Sequence, residues 1–198
     1  MAHKSTYKLL FKRRRTGKTN YAKRLNLLKS NEVRLVVRKS NAVTRLQLVK
    51  YHPAGDQTLV SATTAELGNW NWKSNPANLP SAYLAGFLIG KRALKADIKK
   101  AMLDIGLHTP QHKGRLFAAV KGAIDAGLVV PVGEEALPNT NRASGKHIEE
   151  FTQKMESDKF QKRFSKELKE GFDPRKTSEQ WSNAKAAIEK NPLKKPIK

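Results

Sequence analysis

The hydrophobic period of this chain changes once, and that change fixes its class of fold. Between about residues 33 and 63, apolar and polar residues alternate; from Tyr83 onward the apolar residues recur every three to four positions. Val33, Leu35 and Val37 fall on one side of an extended segment and Arg34 and Arg38 on the other, the two-residue period of a half-buried strand. Lys39-Ser40-Asn41 supplies turn chemistry. A second strand is expected over about 43–51, with Leu46 and Leu48 on one face and Arg45, Gln47 and Tyr51 on the other. His52-Pro53-Ala54-Gly55-Asp56 reads as a turn and 58–63 as a third strand. Connections this short make an antiparallel meander.

After a loop containing Trp70 and Trp72, the helical period begins. Pro80-Ser81 opens a helix, and Tyr83, Leu84, Phe87, Leu88 and Lys91 follow its spacing to about 95–97. Residues 101–106 are a short buried-strand candidate. Leu116, Phe117, Val120 and Ile124 mark a second helix, with Gly127 at its C-terminal cap. A strand–helix–strand passage implies parallel strands and a right-handed crossover. The expected fold is α/β in the order β-β-β-α-β-α: a mixed sheet of three antiparallel strands plus a parallel strand, with packed helices.

The chain has 198 residues, enough for one such core with appendages. Three regions are expected: a basic arm over 1–30 with a short helix near 21–29, the α/β core over 31–132, and a loop and helical C-terminal extension over 133–198. In the extension Phe160, Phe164 and Leu168 recur every four residues, which predicts an apolar stripe in need of a docking surface. A final helix over about 178–190 is ended by Pro192 and Pro196.

The formal net charge is +22, from 39 basic and 17 acidic residues, and residues 1–30 hold ten of the bases and none of the acids. With no local carboxylate to neutralise it, such an arm is suited to a polyanion. Nucleic acid fits best, because each phosphate contact releases condensed counterions. The arm lacks the amphipathic stripe that a membrane surface requires. No apolar run approaches ~18 residues and no apolar leader follows the N-terminus, so neither a membrane span nor secretion is expected. The absence of cysteine excludes disulfides, thiolate catalysis and cysteine-based metal centres.

Several local patterns invite a sharper chemistry and fail to support it. Arg13-Arg14-Arg15-Thr16-Gly17-Lys18-Thr19 has the end of a nucleotide-binding phosphate loop, but Lys12 stands where the motif needs its first glycine. His108 and His112 have metal-ligand spacing, but Pro110 interrupts the helix that would align them. Asp104 reads as a hydrogen-bonded structural carboxylate. The β-β-β-α-β-α order is shared with metal-dependent nucleases, yet Arg34 and Arg38 stand on the first strand, where the first carboxylate of such a site is expected. No catalytic residue, metal ligand, cofactor or small-molecule substrate is therefore assigned. Arg34, Arg38, Arg45, Gln47 and Tyr51 can share one sheet face, which fits either a solvated surface or RNA, where stacking and hydrogen bonds supplement phosphate contacts. Tyr7, Tyr21, Trp70 and Trp72 are further candidate stackers; the two tryptophans read equally well as plugs over a core edge.

Lys18-Thr19-Asn20-Tyr21, Arg24-Leu25-Asn26-Leu27-Leu28 and Arg34-Leu35-Val36-Val37-Arg38-Lys39-Ser40-Asn41 resemble the archaeal form of ribosomal protein eighteen of the large subunit. This is the 5S rRNA-binding family whose eukaryotic counterpart is protein five. Pro80-Ser81-Ala82-Tyr83-Leu84, Leu103-Asp104-Ile105-Gly106-Leu107, Gly122-Ala123-Ile124-Asp125-Ala126-Gly127, Arg142 and Gly145-Lys146-His147-Ile148 match further family segments in order. The resemblance is strong over about 5–150 and weaker beyond.

The resemblance implies binding to 5S rRNA in the central protuberance of the cytoplasmic large subunit, beside 23S rRNA and neighbouring proteins that include a second 5S-binding protein. Carried onto matching positions, it assigns RNA contact to Arg13, Arg14, Arg15, Lys18, Thr19, Tyr21, Arg24, Arg38, Ser40 and Asn41. The charge and face patterns add Lys12, Lys23, Arg34, Lys39 and Arg45. The first hairpin is expected to serve recognition rather than folding. The competing expectations are an RNA-processing enzyme on a nuclease-like sheet and an architectural protein that prefers duplex DNA.

Overall fold

The computed structural model describes residues 8–193. Tyr7 and Pro196 lie outside the described residues. The arm contains two short helices, α1 (Lys12–Arg15) and α2 (Tyr21–Leu28). Asn20 caps α2, its side chain accepting a hydrogen bond from the Lys23 amide at 3.1 Å. Neither helix buries a residue.

The expected meander follows as β1 (Arg34–Lys39), β2 (Thr44–Lys50) and β3 (Gln57–Thr63). A 3₁₀ segment over Thr64–Trp70 leads toward α3 (Leu79–Lys95), which Asn78 caps by accepting the Ser81 amide hydrogen bond at 2.8 Å. β4 (Met102–Asp104) and α4 (Arg115–Asp125) complete the core. The sheet order is β3-β2-β1-β4, with β1 antiparallel to β2 and parallel to β4. The chain therefore leaves one edge of the sheet and returns at the other, so that α3 crosses between the edges.

The sheet has two unlike faces because the period-two alternation holds through its register. Leu35, Val37, Leu46, Leu48 and Ala62 are buried with Leu84, Leu88, Ala118 and Val120 of α3 and α4 in one cluster. The opposite face carries Arg34, Val36 and Arg38, paired across β2 with Val49, Gln47 and Arg45. α3 and α4 pack backbone to backbone: methyl groups built at Gly86 and Gly122 would overlap the carbonyls of Ala119 and Tyr83.

The C-terminal extension consists of α5 (Thr140–Ser144), α6 (Lys146–Gln153), α7 (Ser157–Arg163), α8 (Ser165–Lys169) and α9 (Thr177–Lys190). Its Phe172, Trp181, Ala184 and Ile188 belong to the same buried cluster as the sheet residues. The Trp181 ring lies 5.1 Å from Tyr83. The phenylalanine stripe is not one continuous helix. Phe164, at φ −107° and ψ 20°, separates α7 from α8, and only Phe160 is fully buried, beneath the Arg175 guanidinium at 4.4 Å from its ring centre.

Trp70 and Trp72 are plugs, not stacking platforms. Both are buried, with Trp72 Nε1 donating to Ser81 Oγ at 2.7 Å and Trp70 Nε1 donating to the Asn191 carbonyl at 3.0 Å. Among the described residues, no helix is long and apolar enough to cross a membrane.

Candidate nucleic-acid interface

The arm leans over the polar face of the sheet and encloses with it a cleft of about 1000 Å³. Lys18, Tyr21 and Lys23 of the arm line one side, and Arg38, Gln47 and His108 line the other. The Phe11 and Tyr21 rings meet at 5.3 Å, and Arg13 Nε donates to Thr19 Oγ1 at 2.9 Å. Both contacts fold the arm back on itself. Thr19 and Tyr21 are thus engaged inside the arm, with Tyr21 still partly accessible.

Beneath the arm runs a chain of alternating charges. Arg24 Nη2 meets both Asp56 oxygens, at 2.9 and 2.8 Å, and Arg34 Nη2 meets Asp56 Oδ2 at 2.7 Å. Arg34 Nη1 continues to Asp104 Oδ2 at 3.0 Å, and Arg38 Nη2 reaches Asp104 Oδ1 at 2.9 Å. The Gly106 amide also donates to Asp104 Oδ1 at 2.9 Å. Gly106 has φ +63°, and a Cβ there would lie 2.8 Å from the Arg38 guanidinium carbon. The absence of a side chain at this turn lets Arg38 lie against it. Asp104 is the structural carboxylate its sequence context predicts.

Two expectations change in this light. Arg34 lies on the polar face, but only 2% of it is exposed, and its two terminal nitrogens are held by Asp56 and Asp104. It shapes the face from beneath. Arg38, with 41% of its side chain exposed, remains accessible while donating to the carbonyls of Val37 and Asp104 at 2.9 and 2.6 Å. The hairpin therefore takes part in folding as well. Ser40 does too, since its hydroxyl donates to the Val43 carbonyl and accepts from the Val43 amide, both at 2.9 Å.

The remaining cations are uncommitted. Among the described residues, the side chains of Lys12, Arg14, Arg15, Lys18, Lys23, Lys39 and Arg45 have no carboxylate within ion-pair distance. Arg45 stands directly across the register from Arg38, a like-charge juxtaposition that is unfavourable without an anion between them. Asn41 is exposed at the hairpin tip.

His108 registers the same field. Burial pushes its imidazole below the ordinary value of 6.5, and the charges of Lys39, Arg38 and Arg115 push it further in the same direction. Its Nε2 accepts the Lys39 amide at 3.3 Å. His112 instead sits edge-on to Phe117, so the two histidines are committed to different neighbours. At Asp56, burial raises the carboxyl, but hydrogen bonds and charge from Arg24 and Arg34 outweigh it and hold the group below its ordinary 3.8. These pairings were beyond sequence reasoning: Asp56 read as a turn residue, and nothing local links it to Arg24 or Arg34.

Comparison with known proteins converges on one family. A family model described as ribosomal large subunit proteins 60S L5 and 50S L18 matches residues 5–100. The large ribosomal subunit protein uL18 of Methanothermobacter thermautotrophicus is 43% identical over 189 residues, covering 96% of this chain and 98% of that protein. The mixed sheet with one helix-covered face, the basic arm over the other face, and similarity running nearly end to end place the chain in the uL18 family of large-ribosomal-subunit proteins.

Proposed function

We propose that this chain binds 5S rRNA and helps attach it to 23S rRNA in the central protuberance of the large subunit of the cytoplasmic ribosome, beside a second 5S-binding protein. The observation that carries the reading is the cleft between arm and sheet, whose lining includes Arg13, Lys18 and Lys23, which among the described residues have no carboxylate within ion-pair distance. Arg13, Arg14, Arg15, Lys18 and Lys23 supply phosphate contacts from the arm. Lys39, Asn41 and Arg45, with the accessible part of Arg38, supply charge and hydrogen bonds from the hairpin. The role is to fold and anchor RNA. The two carboxylates of this face, Asp56 and Asp104, are each held by two arginines, a poor ligand set for the divalent metal that phosphodiester cleavage on such a sheet needs.

The test is equilibrium binding of the full chain to 5S rRNA, a 23S fragment of similar length and random duplex DNA across a salt series. Preference for 5S rRNA is expected. Joint replacement of Arg13, Arg14 and Arg15 by alanine should lower the magnitude of the slope of log K against log salt by about 2–3. Equal affinity for all three nucleic acids would overturn the assignment to 5S rRNA, and metal-dependent cleavage of the RNA would favour the nuclease.

A further inference from the structure

A carboxylate at the rim of a phosphate-binding face weakens that face electrostatically, so the position of Asp56 calls for a reason. We infer that Asp56 is a positioning residue: it clasps the arm helix α2 over the sheet and orders the arm's cations before RNA arrives. The inference rests on the RNA-binding reading for its consequence but not for the clasp itself.

The need for a clasp follows from α2. It has eight residues, none of them buried, and an isolated helix of this length is marginal in water. Among the described residues, the side-chain hydrogen bonds joining α2 to the β2–β3 turn are the two from Arg24 to Asp56. The geometry is that of a guanidinium nitrogen shared between both oxygens of one carboxylate.

Asp56 is a suitable anchor because it is itself held. Arg34 Nη2 fixes it from below at 2.7 Å. Arg34 is buried and tied on its other side to Asp104, which belongs to β4. The arm is thereby linked through Asp56 and Arg34 to the far edge of the sheet. The ammonium of Lys23, adjacent in sequence to Arg24, has no carboxylate within ion-pair distance among the described residues and rides on the clasped helix. Ordering this segment in the free protein reduces the entropy lost on binding, the general benefit of preorganisation.

The experiment sets two physical effects in opposition. Asp56→Asn raises the formal net charge by one, so electrostatics alone predicts tighter binding of 5S rRNA. The clasp predicts weaker binding, by about threefold or more. In the free protein, amide exchange over Tyr21–Leu28 should accelerate about tenfold, while β1, β2 and α3 remain protected. Arg24→Gln removes the arm's side of the clasp and leaves the Asp56–Arg34 pair in place; it should accelerate exchange over Tyr21–Leu28 to a similar degree without touching the core. Unchanged protection of α2 in both variants would overturn the clasp, and tighter RNA binding by Asp56→Asn would overturn its positioning role. A wild-type chain that fails to bind 5S rRNA would count against the RNA reading alone, because the exchange data decide the clasp without RNA.

Discussion

Gly122 on α4 lies so close to α3 that a methyl group added to it would overlap the Tyr83 carbonyl oxygen and come within 2.8 Å of the Phe87 amide nitrogen. Alanine ordinarily stabilises a helix interior relative to glycine by ~0.5–1 kcal/mol. Here the inserted methyl meets backbone that cannot rotate away. Gly122→Ala is expected to destabilise the chain by about 1–3 kcal/mol. Thermal melting should read this as a fall of roughly 2–4 °C for each kcal/mol. An unchanged or higher melting temperature would show that α3 and α4 separate readily.

Asp104 should prove more important to folding than any exposed arm charge. Its removal leaves Arg34 buried with Asp56 as its remaining partner and strips Arg38 of its carboxylate. Breaking a buried pair costs about 3–5 kcal/mol, and Asp56 should keep Asp104→Ala near the lower end. Urea unfolding checks the value. Replacing Arg34 and Asp104 together by methionine and leucine should recover most of the loss, since the partners that remain, Arg38 and Asp56, are partly exposed and no fully buried charge is left unpaired.

His108 offers a spectroscopic reading of the cleft. Burial and the surrounding cations lower its folded-state value below 6.5, so the folded protein binds fewer protons there than the unfolded chain. Its contribution to stability is complete above the unfolded value and declines as pH falls through 6.5 toward the folded value. An NMR titration should place the free-protein midpoint below 6.5. Bound phosphates would offset the charge of Lys39, Arg38 and Arg115, so the midpoint should rise in the RNA complex. A midpoint unmoved by RNA would remove this face from the binding site.

Deleting residues 1–30 should spare the fold, since α1 and α2 bury no residue. Asp56 keeps its contact with Arg34. If about half of the ten charges contact phosphate, the salt slope should fall by roughly 3–5. Circular dichroism of the truncated chain should retain its α/β signature. A folded truncation with the full salt slope would end the case for the arm as RNA anchor.

The C-terminal extension should behave as part of the core. Trp181 packs against Tyr83 and is buried, so Trp181→Ala is expected to cost about 3–5 kcal/mol in chemical unfolding. A loss below 1 kcal/mol would mean that α9 rests only lightly on α3.

The sheet was legible because strand alternation is a local property: Leu35, Val37, Leu46 and Leu48 declare their face through their neighbours. The same pattern placed Arg34 on the polar face, and it is there. What alternation cannot carry is whether that position lies under another segment. Arg34 is buried because Asp56 and Asp104, distant in sequence, converge on it. The recurrence of Phe160, Phe164 and Leu168 is silent on continuity for a related reason. A four-residue spacing is compatible with a continuous helix, but it does not prevent a break at Phe164. Trp70 and Trp72 carried both a stacking face and a hydrogen-bonding edge; their burial was decided by Ser81 and by Asn191 at the far end of the chain.

α3 and α4 cover one side of the sheet, while among the described residues the slender arm and the loop after β4 border the other. A sheet lined by helices on both sides is a closed sandwich; this one has a single slice in place. On the proposed function, the missing slice is RNA itself. Phosphates and bases would do for the polar face what α3 and α4 do for the apolar one, and the architecture would reach its third layer only during ribosome assembly.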